Sequence, residues 1–174
     1  DKDGGIKLPA PNVKGQFQLE NISTAIATLR SIDQLKVGEK HIKDGITKIK
    51  SIARLQEIVS GKLKELVKNN KLLVDGSHNP LGAKVLNEYL ESLNCNKHII
   101  LGMMSNKDHK EYMSYFKNIS SLTTIDIPNQ PNSIKGKVLK NKLNSFQNVE
   151  YKEGIIDAIK SIPVKENAII LITG

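Results

Sequence analysis

Residues 72–80 read LLVDGSHNP, and this stretch decides the fold. The apolar run 72–74 has the length of a short buried strand, and Asp75 stands directly after it. Pro80 then opens a helical pattern over 81–93, where its fixed φ and missing N–H donor suit the first turn. The segment is therefore predicted to be a strand, a polar loop and a helix. In open α/β sheets, ligands bind at such loops, beyond the carboxyl ends of the strands.

The same alternation continues along the chain. The strands are short runs of Ile, Leu and Val without polar alternation, as a sheet buried on both faces requires. Strands are predicted at 55–59, 72–74, 98–101, 122–127, 149–151 and 168–172. Helices are predicted at 62–68, 81–93, 110–116, 134–143 and 155–162. We therefore expect residues 53–174 to form an α/β domain with a Rossmann-like parallel sheet, although the dinucleotide motif G-x-G-x-x-G is absent.

Residues 1–52 have a different pattern. Apolar residues recur at helical spacing over 21–32 and again over 39–49, so two helices are predicted there. We interpret them as the C-terminal end of a second, truncated domain. The chain has no initiator Met and stops at the end of an apolar strand, so we expect it to be a fragment of a longer protein.

The composition excludes several classes of protein. The 174 residues are 39% apolar and 25% charged, as in globular domains. No segment reaches the roughly 18 to 20 consecutive apolar residues of a membrane helix, and the polar start has no signal-peptide core. The single cysteine, Cys95, cannot form an internal disulfide. We therefore expect a cytoplasmic protein without a membrane partner.

The net charge of +8 raises the question of nucleic-acid binding. Only two of the 26 basic residues are arginines, and the lysines are spread along the whole chain. Aromatic residues, which stack on single-stranded bases, make up 4% of the chain. The sequence therefore favours a preference for small anions over a nucleic-acid partner.

Polar residues suited to chemistry follow the predicted strands. Asp75 and His78 precede a helix N-terminus, which attracts anions through its free N–H groups. The carboxylate could hold ribose hydroxyls, and the imidazole could meet a phosphate or a carboxylate. A capped turn with His78 in water explains the same residues, and the pattern leaves both interpretations open. Lys107 and Asp108 follow the next strand, where a substrate contact and a solvated loop are both open.

Two further positions are candidates on weaker grounds. Asn21 lies at the start of a predicted helix, three residues after Gln18, where an N-cap is the simpler interpretation. Arg54 is one of the two arginines, and its planar guanidinium suits phosphate better than an ammonium does. The other histidines lack metal-ligand spacing and are expected to be structural or solvated, with no metal bound: His41, His98 and His109.

Four segments, in this order, resemble one family. They are G-x-[HF]-Q-x-x-N at 15–21, R-L-Q at 54–56, D-G-S-H-N-P at 75–80, and G-x-x-x-x-K-D at 102–108. Together they resemble folylpolyglutamate synthase and its dihydrofolate synthase relatives, within the Mur ligase superfamily. H-N-P after an aspartate occurs throughout that superfamily, whereas R-L-Q is more particular to the folate branch.

The resemblance implies a three-part enzyme: an N-terminal ATPase domain with the phosphate-binding loop, a central continuation of it to whose end residues 1–52 would belong, and a Rossmann-like C-terminal domain. ATP would phosphorylate the carboxylate of a folate or of dihydropteroate, and the amino group of L-glutamate would attack the acyl phosphate to form an amide. Mg²⁺ would neutralise phosphate charge, with its ligands mostly outside this chain. We expect a monomer that binds these small molecules in folate biosynthesis.

The resemblance also implies roles for the matching residues. His78 would be the catalytic residue, near the γ-phosphate and the incoming glutamate. Phe17 stands where many relatives have histidine, so this position is not an essential ligand here. The other expected contacts are Asn21 and Gln18 at the adenine, Arg54 at the phosphates, Asp75 at the ribose, and Lys107 and Asp108 at the substrate.

The family's phosphate-binding loop does not occur in these residues, so we expect this chain alone to be inactive. Three alternatives stay open. An amino-acid ligase of cell-wall precursors or of cyanophycin is disfavoured by R-L-Q at 54–56. The others come from different classes: a nucleotide- or anion-binding module without catalysis and, third, a nucleic-acid-binding protein.

Overall fold

The computed structural model describes residues 4–163 and 167–174. By internal contacts the chain divides into two compact units, residues 1–52 and residues 53–174. Among the described residues, no helix combines the length and the apolar character that crossing a bilayer requires.

The first unit contains helices α1 (Gln16–Arg30) and α2 (Glu39–Thr47). Helix α1 begins earlier than its apolar spacing predicts, because Gly15 is its N-cap, with a φ of 95°. The apolar residues of the first turn, Phe17 and Leu19, are two positions apart, and helical periodicity therefore could not reveal this turn. Asn21 consequently lies inside the helix, and its interpretation as an N-cap is wrong. The side chains buried in the two helices are Gln18, Ile42 and Ile46.

In the second unit, strands and helices alternate as predicted, and their ends differ from the predicted ends by at most two residues. The strands are β1 (Gln56–Glu57), β2 (Lys71–Asp75), β3 (Asn96–Leu101), β4 (Ser121–Ile125), β5 (Val149–Lys152) and β6 (Ala168–Thr173). The helices are α3 (Lys62–Val67), α4 (Pro80–Glu91), α5 (His109–Ser114), α6 (Gly136–Lys142) and α7 (Ile155–Ser161).

These strands form one sheet in the order β1-β2-β6-β3-β4-β5. Strands β2 to β6 are parallel to their neighbours, which confirms the predicted Rossmann-like sheet. Strand β1 is the exception, since it pairs antiparallel with β2 as a two-residue strand at the edge. Strand β6 lies between β2 and β3, so it joins the β1-β2 pair to the other three strands.

Helices cover both faces of the sheet. Helix α3 contacts α7, whereas α5 contacts both α4 and α6. With right-handed crossovers, these two groups lie on opposite faces. Leu72 and Leu73, consecutive residues of β2, are both fully buried. This two-sided burial explains why the strands are continuous apolar runs.

Candidate functional site

The carboxyl ends of β2, β6 and β3 lie side by side. They form the carboxyl edge of the sheet, which is distinct from its edge strands. Asp75 pairs in register with Thr173, and Thr173 pairs with Leu101, so the three strands end level. Gly174 follows with a φ of +120°, and a Cβ on it would lie 1.9 Å from the carbonyl oxygen of Gly102. Only glycine fits where the two backbones approach so closely.

Asp75 is the buried centre of this edge, with 2% of its surface exposed. Its Oδ2 accepts a hydrogen bond from the Leu55 N–H at 2.7 Å. Its Oδ1 accepts from the Ser77 N–H at 2.8 Å and from the Ser77 hydroxyl. Three donors thus compensate a buried carboxylate that would otherwise be strongly destabilising. Asp75 therefore ties the segment before β1 to the loop after β2.

The backbone on either side of Arg54 is unusual. Ala53 and Leu55 have φ of 51° and 46°, in the left-handed region. This conformation costs a non-glycine residue about 1 kcal/mol. The Gly76 N–H donates to the Ala53 carbonyl at 2.8 Å, and the Ala53 N–H donates to Gln56 Oε1 at 2.9 Å. Leu55 is buried while Arg54 is exposed, so a fixed backbone presents the guanidinium to solvent.

Helix α4 begins directly after the polar loop. Asn79 is its N-cap, because Asn79 Oδ1 accepts a hydrogen bond from the Gly82 N–H at 2.8 Å. His78 is exposed, and its Nδ1 lies 3.1 Å from the Gly76 carbonyl oxygen. The structure therefore contains the capped turn and also leaves the imidazole accessible beside a helix N-terminus, where anions are favoured.

A buried polar chain runs from this edge into helix α5. The Tyr112 hydroxyl lies 2.7 Å from Thr173 Oγ1, which in turn donates to the Ser77 carbonyl oxygen at 3.4 Å. Burial raises the pKa of Tyr112, and this outweighs the lowering by the bond to Thr173, so the phenol stays neutral. These hydrogen bonds were not predicted from the sequence, because Tyr112 falls within an apolar helical pattern. The available signal was that a buried tyrosine hydroxyl needs a partner.

Lys107 and Asp108 lie in the loop after β3. Asp108 caps α5, since its Oδ1 accepts a hydrogen bond from the Glu111 N–H at 2.9 Å. His109 is structural, because it is the buried first residue of α5 and its Nε2 lies 3.0 Å from the Met104 carbonyl oxygen. Capping alone accounts for Asp108, and a substrate contact by the Lys107–Asp108 pair stays a prediction.

Gln18 and Asn21 lie one turn apart on α1, in the first unit. Asn21 Nδ2 donates to Gln18 Oε1 at 3.5 Å. Gln18 is buried, whereas Asn21 is exposed. The exposed amide of Asn21 has donors and an acceptor that could bond to the polar groups of a nucleotide base. A contact between Asn21 and adenine stays a prediction.

The described residues do not fit a magnesium site. Within residues 4–163 and 167–174, no three His, Cys, Asp or Glu side chains form a group that could hold a metal ion. Asp75, the buried carboxylate of the edge, bonds to protein donors through both oxygens. Mg²⁺ is commonly held by one or two carboxylates together with substrate phosphates, so the described residues do not form a complete protein site for it.

Comparison with known proteins gives a family match and a set of related folds. The family model described as Mur ligase, glutamate ligase domain, matches residues 54–174. E. coli FolC, solved with ADP, is 26% identical, with all of this chain covered and a TM-score of 0.80. A folylpolyglutamate synthase from Thermotoga maritima is 25% identical over 94% of this chain, with a TM-score of 0.70.

A more distant relative shows the same fold. Folylpolyglutamate synthase of Mycobacterium tuberculosis, solved with ADP and AMPPCP, is 18% identical over 93% of this chain, with a TM-score of 0.77. The present chain spans about two fifths of these three proteins, namely 40%, 37% and 38% of their lengths. A search of curated proteins by sequence gave no match.

Proposed function

Since residues 54–174 belong to the Mur ligase family as a glutamate ligase domain, we propose that this chain is the C-terminal part of an ATP-dependent ligase that joins L-glutamate to a folate. One observation carries the folate assignment. The R-L-Q segment at 54–56, whose pattern resembles the folate branch, is fixed by hydrogen bonds beside Asp75 and leaves Arg54 exposed at the carboxyl ends of the strands. Under this proposal, residues 1–52 are the end of the ATPase domain.

The proposed reaction has two steps. A carboxylate oxygen of the folate attacks the γ-phosphorus of ATP, the bond to the ADP oxygen breaks, and an acyl phosphate forms. The glutamate nitrogen then attacks the acyl carbon, the carbon–oxygen bond to phosphate breaks, and the nitrogen loses a proton. The products are an amide, ADP and phosphate. Such phosphoryl transfer depends mainly on positioning and charge stabilisation.

Exposed Arg54 and His78 suit a reaction that depends on positioning and charge stabilisation. The guanidinium of Arg54 can bond two phosphate oxygens at once, which stabilises charge that develops during the transfer. We assign His78 to the γ-phosphate and the incoming glutamate, because its ring is accessible next to the N-terminus of α4. Mg²⁺, when bound, would neutralise phosphate charge, and its ligands would come from the phosphates and from residues outside this chain.

The remaining contacts are proposed on the family pattern. Exposed Asn21 would bond to the adenine, with its side chain oriented by buried Gln18. Asp75 would meet the ribose only through lone pairs that its protein donors leave unused. The Lys107 ammonium and the Asp108 carboxylate would contact the substrate from the loop after β3.

The acceptor is proposed to be tetrahydrofolate, dihydropteroate or both, and the complete enzyme to be a cytoplasmic monomer. Binding of a nucleotide or another anion without catalysis is the second candidate. It is favoured by the exposed guanidinium of Arg54 and by the N-terminus of α4, which suit an anion without further chemistry.

Glutamate ligation by the complete enzyme that contains this chain tests the proposal. Labelled glutamate and Mg·ATP are supplied with tetrahydrofolate, with dihydropteroate or with a UDP-muramyl acceptor. We expect labelled product with a folate-type acceptor. Arg54→Lys should lower kcat/KM by roughly 10- to 100-fold, because an ammonium cannot reproduce two parallel hydrogen bonds.

The other arginine of the chain supplies a matched control, and Arg30→Lys should match the wild type. Product with the UDP-muramyl acceptor alone would indicate a cell-wall ligase. Nucleotide binding without product from any acceptor would favour the binding module.

A further inference from the structure

The left-handed backbone on both sides of Arg54 needs an explanation. Ala53 and Leu55 are neither glycine nor asparagine, the residues that adopt a positive φ most readily. Such conformations persist where the surrounding structure fixes them, and they are concentrated at functional sites. The contacts that fix this segment therefore indicate the function of its left-handed conformation.

Three hydrogen bonds and one buried side chain hold the segment. Asp75 Oδ2 accepts from the Leu55 N–H at 2.7 Å, and Gln56 Oε1 accepts from the Ala53 N–H at 2.9 Å. The Gly76 N–H donates to the Ala53 carbonyl at 2.8 Å. The Leu55 side chain is 1% exposed and anchors the segment in the core. Every backbone restraint thus acts on the neighbours of Arg54, and the guanidinium is left exposed.

We propose that Gln56 and Asp75 are positioning residues, which fix the backbone around Arg54 so that its guanidinium is oriented for phosphate before ATP arrives. The proposal rests on the proposed function, because it takes phosphate as the ligand of Arg54. It assigns a role to Gln56, whose amide oxygen bonds to the residue before the arginine. With the backbone at Arg54 fixed, only its side-chain torsions have to be ordered when phosphate binds, so less conformational entropy is lost.

The chemistry of Asp75 makes the proposal testable with a substitution of the same shape. A carboxylate offers acceptors on both oxygens, and here they serve Leu55 on one side and Ser77 on the other. In Asp75→Asn, one of these N–H donors would meet an NH₂ group, which cannot accept. Gln56→Leu likewise removes the acceptor for Ala53, whereas Gln56→Glu keeps it.

Binding of Mg·ATP and of magnesium tripolyphosphate to the complete enzyme distinguishes positioning from ribose binding. Tripolyphosphate has the phosphates but no ribose. We expect Asp75→Asn and Gln56→Leu to weaken both ligands by about tenfold or more, since each disturbs the arginine. We expect Gln56→Glu to weaken both ligands less than Gln56→Leu does, because it keeps the acceptor for Ala53 although it adds a negative charge near the phosphates. With tripolyphosphate, the double variant Asp75→Asn with Arg54→Gln should bind no more weakly than Arg54→Gln alone.

Two results would overturn the proposal. In one, Asp75→Asn weakens ATP but not tripolyphosphate, which would make Asp75 a ribose ligand only. In the other, the effects of Asp75→Asn and Arg54→Gln on tripolyphosphate binding add, so that the residues act independently. Gln56→Leu supplies a second test on a half-buried residue if Asp75→Asn fails to fold.

Amide hydrogen exchange of this chain gives a readout that needs no ligase activity. The Leu55 amide should be protected in the wild type and should exchange at least tenfold faster in Asp75→Asn. Unchanged exchange would overturn the positioning role even if activity fell. A wild-type enzyme that binds neither phosphate ligand would instead overturn the proposed function and the role of Arg54, while the exchange data would still report the restraint.

Discussion

At the scale of single residues, the candidate site depends on polar contacts between segments that are distant in sequence. Asp75 bonds to Leu55, 20 residues away, and Tyr112 bonds to Thr173, 61 residues away. Removing one partner of a buried polar pair leaves the other unsatisfied, which costs about 1 to 3 kcal/mol. A few side chains therefore determine how accurately the loops of the site are placed.

His98 should make the stability of the protein depend on pH. Its ring is buried, with Nδ1 2.8 Å from Ser121 Oγ, and burial lowers its pKa below the ordinary value of 6.5. The unfolded state therefore binds the proton more readily than the folded state. The contribution of His98 is complete well above pH 6.5 and is lost as the pH falls through 6.5 toward the lowered pKa.

Urea unfolding at several pH values measures this loss. We expect the midpoint to fall between about pH 7.5 and about pH 5.5, and His98→Gln to reduce the fall. His109, whose pKa is lowered mainly by burial, should account for part of what remains. Equal pH dependence in the wild type and in His98→Gln would contradict the assignment to His98.

At the scale of elements, apolar pattern predicted most of the fold, because strands covered on both faces read as unbroken runs of Ile, Leu and Val. It failed where polar contacts decide. Strand β1 was predicted over 55–59 and is shorter, since Leu55 adopts a left-handed conformation and bonds to Asp75. The start of α1 was missed because Phe17 and Leu19 in its first turn do not have helical spacing.

The candidate site was predictable in part for the same reason. Strand ends placed Asp75 and His78 at the carboxyl edge, and the structure brings the Arg54 segment to the same edge. The restraints on that segment were not predictable, because their donors are backbone N–H groups. Nearly every residue type has the same backbone N–H group, so the sequence does not reveal which of them forms a particular hydrogen bond. The partners depend on the completed fold.

Asp108 permits a test that separates capping from substrate binding. Asp108→Ala removes the N-cap of α5 and should lower the free energy of unfolding by about 1 kcal/mol. Asp108→Asn keeps a capping oxygen and should leave stability within about 0.5 kcal/mol of the wild type. Urea unfolding checks both values.

Kinetics of Asp108→Asn in the complete enzyme then examine the predicted substrate contact without a change in stability. A rise in KM for the acceptor or for glutamate would support that contact. Wild-type kinetics would leave capping as the role of Asp108.

At the scale of the whole molecule, the two units differ in how much core they contain. The second unit has a sheet with helices on both faces, whereas the apolar side chains buried in α1 and α2 are Ile42 and Ile46. Short helices without a core are marginally stable in water. We therefore expect residues 53–174 alone to unfold cooperatively in urea and residues 1–52 alone to show little helix by circular dichroism.

Hydrogen exchange in the intact chain checks the same difference. Amides of α1 should exchange faster than those of β6, which is paired on both sides. Equal protection in α1 and β6 would contradict a division of stability between the units.

The central place of β6 has a consequence for biosynthesis. Before β6 leaves the ribosome, a nascent chain can pair β1 with β2 and can pair β3, β4 and β5, but nothing joins the two groups. Both groups then have an apolar edge with unpaired backbone groups, which invites association with other chains. The sheet can close only after translation has passed residue 173, so this domain should depend on chaperone protection late in its synthesis.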